Sequence, residues 1–250
     1  MKKKMGTMLI LCVCAVITAA CGKTEKVSDK LIMGTNAEFP PYEFHQMGPN
    51  GSEIVGIDVE IAQAIARELN KELEIEDVAF DSILPALQSG KVDIGMAGMT
   101  ITEDRLRNVN FSIPYAQASQ MIIVREGSEI QTPDDLIGKT IGVQLGTTGD
   151  IYSEDIEDVT IERYNKGFEA VQALVQGKVD AVIIDSEPAK AFVAAAEGIV
   201  VLEEAFTEEE YAIAVAKGEE ELLADINTIL EKLIESGEIQ AIVDKYITAE

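Results

Sequence analysis

Apolar residues recur along this chain in two rhythms. Ile57, Ile61, Ile65 and Leu69 follow one another every four residues with Ala62 and Ala66 beside them, the stripe of an amphipathic helix. Elsewhere short apolar runs stand between polar and turn residues: Leu31 to Met33 ending at Gly34, Glu72 to Ala79, Met121 to Val124, Thr140 to Gln144, Thr160 to Tyr164 and Ile199 to Leu202. Such runs predict strands, and Pro40-Pro41 in "TNAEFPPYEF" predicts a shaped loop where no helix can form. Strands alternating with helical stretches predict an α/β fold with largely parallel sheets.

One phrase is written twice. "ALQSGKVDIGM" runs from Ala86 to Met96 and "ALVQGKVDAVI" from Ala173 to Ile183, so that Gly90 and Gly177 lie 87 residues apart. In each copy a helical stretch (Asp81 to Ser89, Glu169 to Gln176) ends at a glycine suited to a left-handed helix cap, then turns into a short apolar strand (Val92 to Met96, Val179 to Ile184). The repetition predicts two α/β lobes. Ligand-contacting loops in such sheets lie beyond the carboxyl ends of the strands. Beyond the first copy comes "AGMTITEDR", which leads to Arg105, whereas the second copy runs into Asp185. One lobe offers a cation and the other an anion, an arrangement that fits a ligand carrying both charges.

The first residues read as an export leader, with Lys2, Lys3 and Lys4 ahead of an apolar stretch from Met8 to Ile17. Thr18-Ala19-Ala20-Cys21-Gly22 resembles a lipoprotein signal, in which Cys21 would be acylated after removal of residues 1–20. Thr18 stands where such signals usually have Leu, so secretion without a lipid stays open. Residues 21–30 are polar and read as a tether. Cys12 and Cys14 fall within the leader, leaving no thiol pair for a disulfide or a zinc site. No later run is long and apolar enough to span a bilayer.

Without the three leader lysines, 17 basic residues face 45 acidic ones, a formal charge of −28. That charge repels phosphate backbones and anionic lipid, which argues against nucleic acid and against direct adsorption to a membrane. Runs such as Glu203-Glu204 and Glu208-Glu209-Glu210 read as solubilising surface. "GKT" at Gly138 to Thr140 fails as a phosphate loop because Pro133 stands where a glycine is needed. His45, the single histidine, reads as a solvated loop residue, and the acidic stretch from Asp150 to Asp158 as a solvated helix face rather than a calcium loop. Neither metal nor cofactor is expected.

"GIDVEIAQAIARELN" from Gly56 to Asn70 resembles the signature of the amino-acid-binding proteins of ABC importers, which have a two-lobed type II periplasmic-binding-protein fold. The resemblance continues through "GTNAEFPPYEF", "FDSILPALQSGKVDIGMAGMTITEDR", "IGKTIGVQLGTTGD" and "GKVDAVIID". It departs at Tyr246-Ile247, where many relatives have Trp. The resemblance implies one lobe from residues 31–116 and 212–250 and a second from 117–211, with crossings near Pro114 to Gln120 and Phe206 to Ala212. It puts Arg105 on a ligand α-carboxylate together with Gly98, Thr100, Thr147 and Thr148. Asp185 would take the α-ammonium, and Phe39 and Phe80 would sandwich the side chain. Asn36, Glu38 and Gln144 would set selectivity for a free polar L-amino acid. A Glu38 carboxylate turned into the cleft favours Lys or Arg, the reading weakly preferred here; one turned to solvent favours Gln or another neutral polar side chain. The implied protein is a monomer, anchored through Cys21 to the outer face of the membrane, that serves an ABC permease. The alternative on the same fold is an exported dehydratase of cyclic acids, which would need a general acid or base in the cleft.

Overall fold

The computed structural model describes residues 29–49 and 51–247. The leader, Cys21 and the tether as far as residue 28 lie outside these residues, as do residues 248–250. Lys30, the last residue assigned to the tether, is already the first residue of a strand.

The chain opens with β1 (Lys30–Thr35), then a hairpin sheet of β2 (Glu38–Phe39), β3 (Glu43–Gly48) and β4 (Gly51–Val55). Helix α1 (Ile57–Glu68), β5 (Glu72–Asp77), α2 (Phe80–Gln88), β6 (Ile94–Gly95), α3 (Glu103–Asn108) and β7 (Val109–Phe111) follow. The middle of the chain holds β8 (Ala116–Arg125), β9 (Thr140–Gln144), α4 (Thr148–Ser153), β10 (Thr160–Tyr164), α5 (Gly167–Val175), β11 (Ala181–Asp185), α6 (Ser186–Ala194) and β12 (Ile199–Val201). It ends with β13 (Thr207–Tyr211), β14 (Ala214–Ala216), α7 (Glu220–Glu235) and α8 (Glu238–Tyr246).

Two sheets organise these elements. The first has the order β5-β1-β6-β14-β7, with β1 parallel to β5 and β6, and β14 returning antiparallel. The second has the order β10-β9-β11-β8-β12, parallel from β10 to β11, with β8 antiparallel to β11 and β12. The fold is the two-lobed type II periplasmic-binding-protein fold. A ribbon joins the lobes: β13 runs antiparallel to the first half of β8, from Thr207 opposite Gln120 to Tyr211 opposite Ala116.

The repeated phrase is a clip that docks a helix and a turn onto β1 in one lobe and β9 in the other. Gly90 and Gly177 both take positive φ, at 68° and 73°, and close the helix with the same pair of bonds. Gly90 N donates to Leu87 O and Lys91 N to Ala86 O; Gly177 N donates to Leu174 O and Lys178 N to Ala173 O. The shared Gly-Lys-Val-Asp of the repeat ends in an aspartate for a reason the spacing alone does not give. Asp93 Oδ2 accepts from Ile32 N at 2.8 Å while Asp93 N donates to Ile32 O, and Asp180 makes the same exchange with Thr140 at 3.0 and 2.7 Å.

The predicted stripe on α1 is the centre of the larger core. Ile57, Ile61 and Ile65 are fully buried and join Ile226, Leu230 and Leu233 of α7 and Ile242 of α8. Each such side chain stabilises the fold by about 1.5–3 kcal/mol relative to exposure. Tyr246 donates to Glu60 Oε1 at 2.7 Å and meets Phe44 edge-on, fastening α8 to α1 and the hairpin. His45 lies in β3 rather than in a loop.

Candidate functional site

The carboxyl ends of five strands point at one place between the lobes. Asn36 follows β1, Phe80 follows β5, Ala97, Gly98 and Thr100 follow β6, Thr147 and Thr148 follow β9, and Asp185 ends β11. With Phe39, Glu43, Arg105 and Gln144 they line one narrow cavity. The cavity thus gathers Asn36, Phe39, Phe80, Gly98, Thr100, Arg105, Gln144, Thr147, Thr148 and Asp185, ten of the eleven cleft residues expected from the sequence.

The positive pole is Arg105. It sits in the first turn of α3, where Thr102 Oγ1 caps the helix by accepting from Arg105 N at 3.2 Å. Its guanidinium is buried, lies 5.3 Å from the centre of the Phe80 ring, and donates through Nη1 to Thr100 O at 2.7 Å and through Nη2 to Gly146 O at 3.1 Å. Of the five donors a guanidinium carries, these bonds leave others for an anion. Burial lowers its pKa, and the charges of Glu209 and Asp185 offset only part of that. The loop facing it is held from behind. Asp150 Oδ2 accepts from Gly146 N at 3.0 Å and Asp150 Oδ1 from Arg163 Nε at 2.8 Å, while Thr147 Oγ1 donates to Gln144 O. Asp150 is therefore a buried brace rather than part of a solvated helix face.

The negative pole is larger than expected. Asp185 accepts from Tyr211 Oη at 2.5 Å, and burial, followed by the charge of Glu209, raises its pKa to about 7. Asp58, buried in the first turn of α1, is raised to about 6 by burial, against the pull of Gly98 N at 2.9 Å and of Tyr115 Oη at 2.8 Å. Gly98 has φ 53°, and a Cβ there would stand 2.7 Å from Phe39 Cε1, so only glycine lets the backbone reach Asp58 with the ring in place. Glu43 completes the cluster. It is 1% exposed and receives no hydrogen bond from a described donor; burial, then the charge of Asp58 and the sharing of a proton with that carboxylate, raise its pKa well above the usual range.

Glu38 is the exception among the expected cleft residues. Its carboxylate pairs with Lys166 across the lobes and does not line the cavity. Both ends of that pair are half-buried, so Lys166 satisfies the charge the sequence reading offered to a ligand. The two amides are also engaged across the gap: Gln144 Nε2 donates to Asn36 Oδ1 at 2.9 Å and to Asn165 O at 3.2 Å, and Asn36 Nδ2 donates to Val78 O. Glu209, read as solubilising surface, is buried behind the cleft between exposed neighbours. Sequence reasoning missed Glu43, Asp58, Glu209 and the tyrosines at 42, 115 and 211 that pack behind the site. The signal for Glu43 was its place between Tyr42 and Phe44, where strand alternation turns it away from the face that Phe44 takes.

A model of bacterial extracellular solute-binding proteins, family 3, matches residues 31–249. The chain is 33% identical over its whole length to the whole of the arginine-binding extracellular protein ArtP of Bacillus subtilis (strain 168). Among solved structures it is similar to holo ArgBP from T. maritima, at 42% identity and TM-score 0.79, with 87% of this chain and 96% of that one covered. It is equally similar to an ancestral arginine-binding protein bound to glutamine, at 41% identity and TM-score 0.83, covering 88% and 99%. These relatives bind amino acids and are not enzymes.

Proposed function

We propose that this chain, which belongs to the family 3 bacterial extracellular solute-binding proteins, closes its two lobes around one free cationic L-amino acid and delivers it to the permease of an ABC importer. The observation that carries the choice of a cation is Glu43. Among the ionisable side chains lining the cavity are one cation, Arg105, and two carboxylates, Asp185 and Glu43. The carboxylate and ammonium of any amino acid match Arg105 and Asp185. Burial and the neighbouring Asp58 favour the protonated form of Glu43, so a neutral side chain leaves that pair as it is, whereas a guanidinium or ammonium displaces the proton and gains a carboxylate partner. Phe39 and Phe80 suit the two faces of such a side chain, since aromatic faces attract cations. The relatives named for arginine favour the same class.

Closure follows from the same electrostatics. Closure brings Asp185 of one lobe up to Glu43 and Asp58 of the other, and the ligand supplies the positive charge between them only when the lobes meet around it. That difference in affinity between open and closed states is what drives the equilibrium to the closed form. Residues 31–116 with 212–250, and 117–211, are the moving bodies in this reading, with the β8–β13 ribbon as the hinge. Acylation of Cys21 and the polar stretch after it would hold the receptor at the outer face of the membrane.

A thermal-shift panel of L-Arg, L-Lys, L-His, L-Gln, L-Glu and L-Leu tests the ligand class. Arg or Lys should give the largest rise in Tm; Glu or Leu in first place would remove the cationic reading. For the anchor, Cys21→Ser should release the protein from the membrane fraction, and unchanged partitioning would exclude acylation there.

A further inference from the structure

Glu209 is a buried carboxylate that neither lines the cavity nor pairs with a lysine or arginine among the described residues. It lies on β13, the strand that crosses between the lobes, opposite Ala118 of β8. Its flanking residues Glu208 and Glu210 face solvent. Besides the Tyr152 hydroxyl, it holds two polar groups on opposite sides of the cleft wall. Thr100 Oγ1 donates to Glu209 Oε2 at 2.8 Å, and Gln120 Nε2 donates to the same oxygen at 3.1 Å. Gln120 Nε2 also donates to Thr148 Oγ1 at 3.1 Å.

A hydroxyl has one hydrogen and two lone pairs, and a carboxylate can only accept. Glu209 therefore takes the hydrogen of Thr100, and the hydroxyl shows the cleft lone pairs alone. Gln120 cannot turn its amide over without aiming its carbonyl at the carboxylate, so Nε2 stays on Thr148. Thr148 then accepts from behind and keeps its own hydrogen for the cleft. Both threonines line the cavity, and both are buried.

We infer that Glu209 is a positioning residue that fixes opposite hydrogen-bond polarities on Thr100 and Thr148. Thr100 serves as an acceptor for the α-ammonium of the ligand beside Asp185, and Thr148 as a donor to the α-carboxylate beside Arg105. The inference rests on the reading of the cleft as an amino-acid site, and it reassigns Thr100 from the carboxylate, where the family resemblance put it. It also gives the site a means to tell a free amino acid from an acid that lacks the amine. Because the carboxylate sits on the crossing strand, the polarities of both lobes are set from one point.

Calorimetric titration of L-arginine and of its des-amino analogue 5-guanidinopentanoate tests this, using the wild type, Glu209→Gln, Thr100→Val, Thr100→Ser and the double variant Glu209→Gln/Thr100→Val. Thr100→Val should weaken arginine by about tenfold or more and leave the des-amino analogue nearly unchanged, while Thr100→Ser keeps wild-type binding of both. Glu209→Gln should weaken arginine in the wild-type background and have little further effect once Thr100 is Val. Equal losses for both ligands in Thr100→Val, or the same Glu209→Gln loss in both backgrounds, would overturn the inference. Should Glu209→Gln fail to fold, the Val and Ser variants of Thr100 still decide whether the hydroxyl accepts from the amine. A wild type that binds L-glutamine but not L-arginine would end the cationic reading alone, and the same variants would then be scored with L-glutamine and its des-amino analogue. A wild type that binds no free amino acid would overturn both readings.

Discussion

At the scale of the residue, Arg105 shows how a buried cation is made tolerable. Two main-chain carbonyls and the Phe80 ring satisfy part of the guanidinium, and the remainder faces a cavity with two carboxylates on its wall. Removing it leaves a ligand carboxylate buried with no cation opposite. Arg105→Ala should therefore weaken the best ligand by about 2–5 kcal/mol in a calorimetric titration; affinity within a factor of about two of the wild type would put the ligand elsewhere. Among single residues, those on loops after predicted strands were legible, because a strand end fixes where its next residues point. The carboxylates were not. Glu38 and Glu43 flank the same Pro40-Pro41 turn, and only the path of that turn decides which one enters the cleft. Glu209 stood in a run of three glutamates with nothing in the run to mark the middle one as buried.

At the scale of the element, α1 was readable from its four-residue stripe and the two lobes from the repeated phrase, because periodicity and a glycine cap are local signals. The function of the repeated aspartate was not, since its partners Ile32 and Thr140 lie on strands 61 and 40 residues away. Nor did the sequence reveal that the hairpin β2–β3 reaches across to the segment before α5 through Glu38 and Lys166. A half-buried pair of that kind contributes about 0–1 kcal/mol. In the proposed closure this contact forms as the lobes meet, and it stabilises the closed form whichever ligand is inside. Glu38→Gln should thus lower affinity for L-arginine and L-glutamine by the same factor, no more than about fivefold. Loss confined to cationic ligands would return the Glu38 carboxylate to the cleft.

At the scale of the whole molecule, the acidic surface and the acidic cleft act in the same direction. A formal charge of −25 raises the local concentration of cations around the protein, and in the proposed function the cleft retains one of them. The raised pKa values of Asp185, about 7, and Asp58, about 6, give the linkage its sign. Both lie above the ordinary carboxylate value near ~4. Their contribution to the ligand-free closed fold is thus greatest below that value and is lost as pH rises through 6 to 7. A cationic ligand supplies the charge that the ionised groups lack, so the bound protein is spared that loss. The rise in Tm caused by saturating L-arginine should therefore grow between about pH 5 and pH 7.5. A rise that stays flat or shrinks over that window would mean that these carboxylates do not feel the ligand.

The central claim is that Glu43 selects a cationic side chain, and the most direct test compares L-arginine with L-citrulline, its neutral isostere, by calorimetry on the wild type and on Glu43→Gln. One L-arginine should bind per wild-type chain, and citrulline should bind more weakly by about tenfold or more, since it gains no charged partner in Glu43. Glu43→Gln should bring the two ligands to within a few-fold of each other, mainly by weakening arginine. Equal binding of arginine and citrulline by the wild type, or a preference for arginine that survives Glu43→Gln unchanged, would contradict the claim.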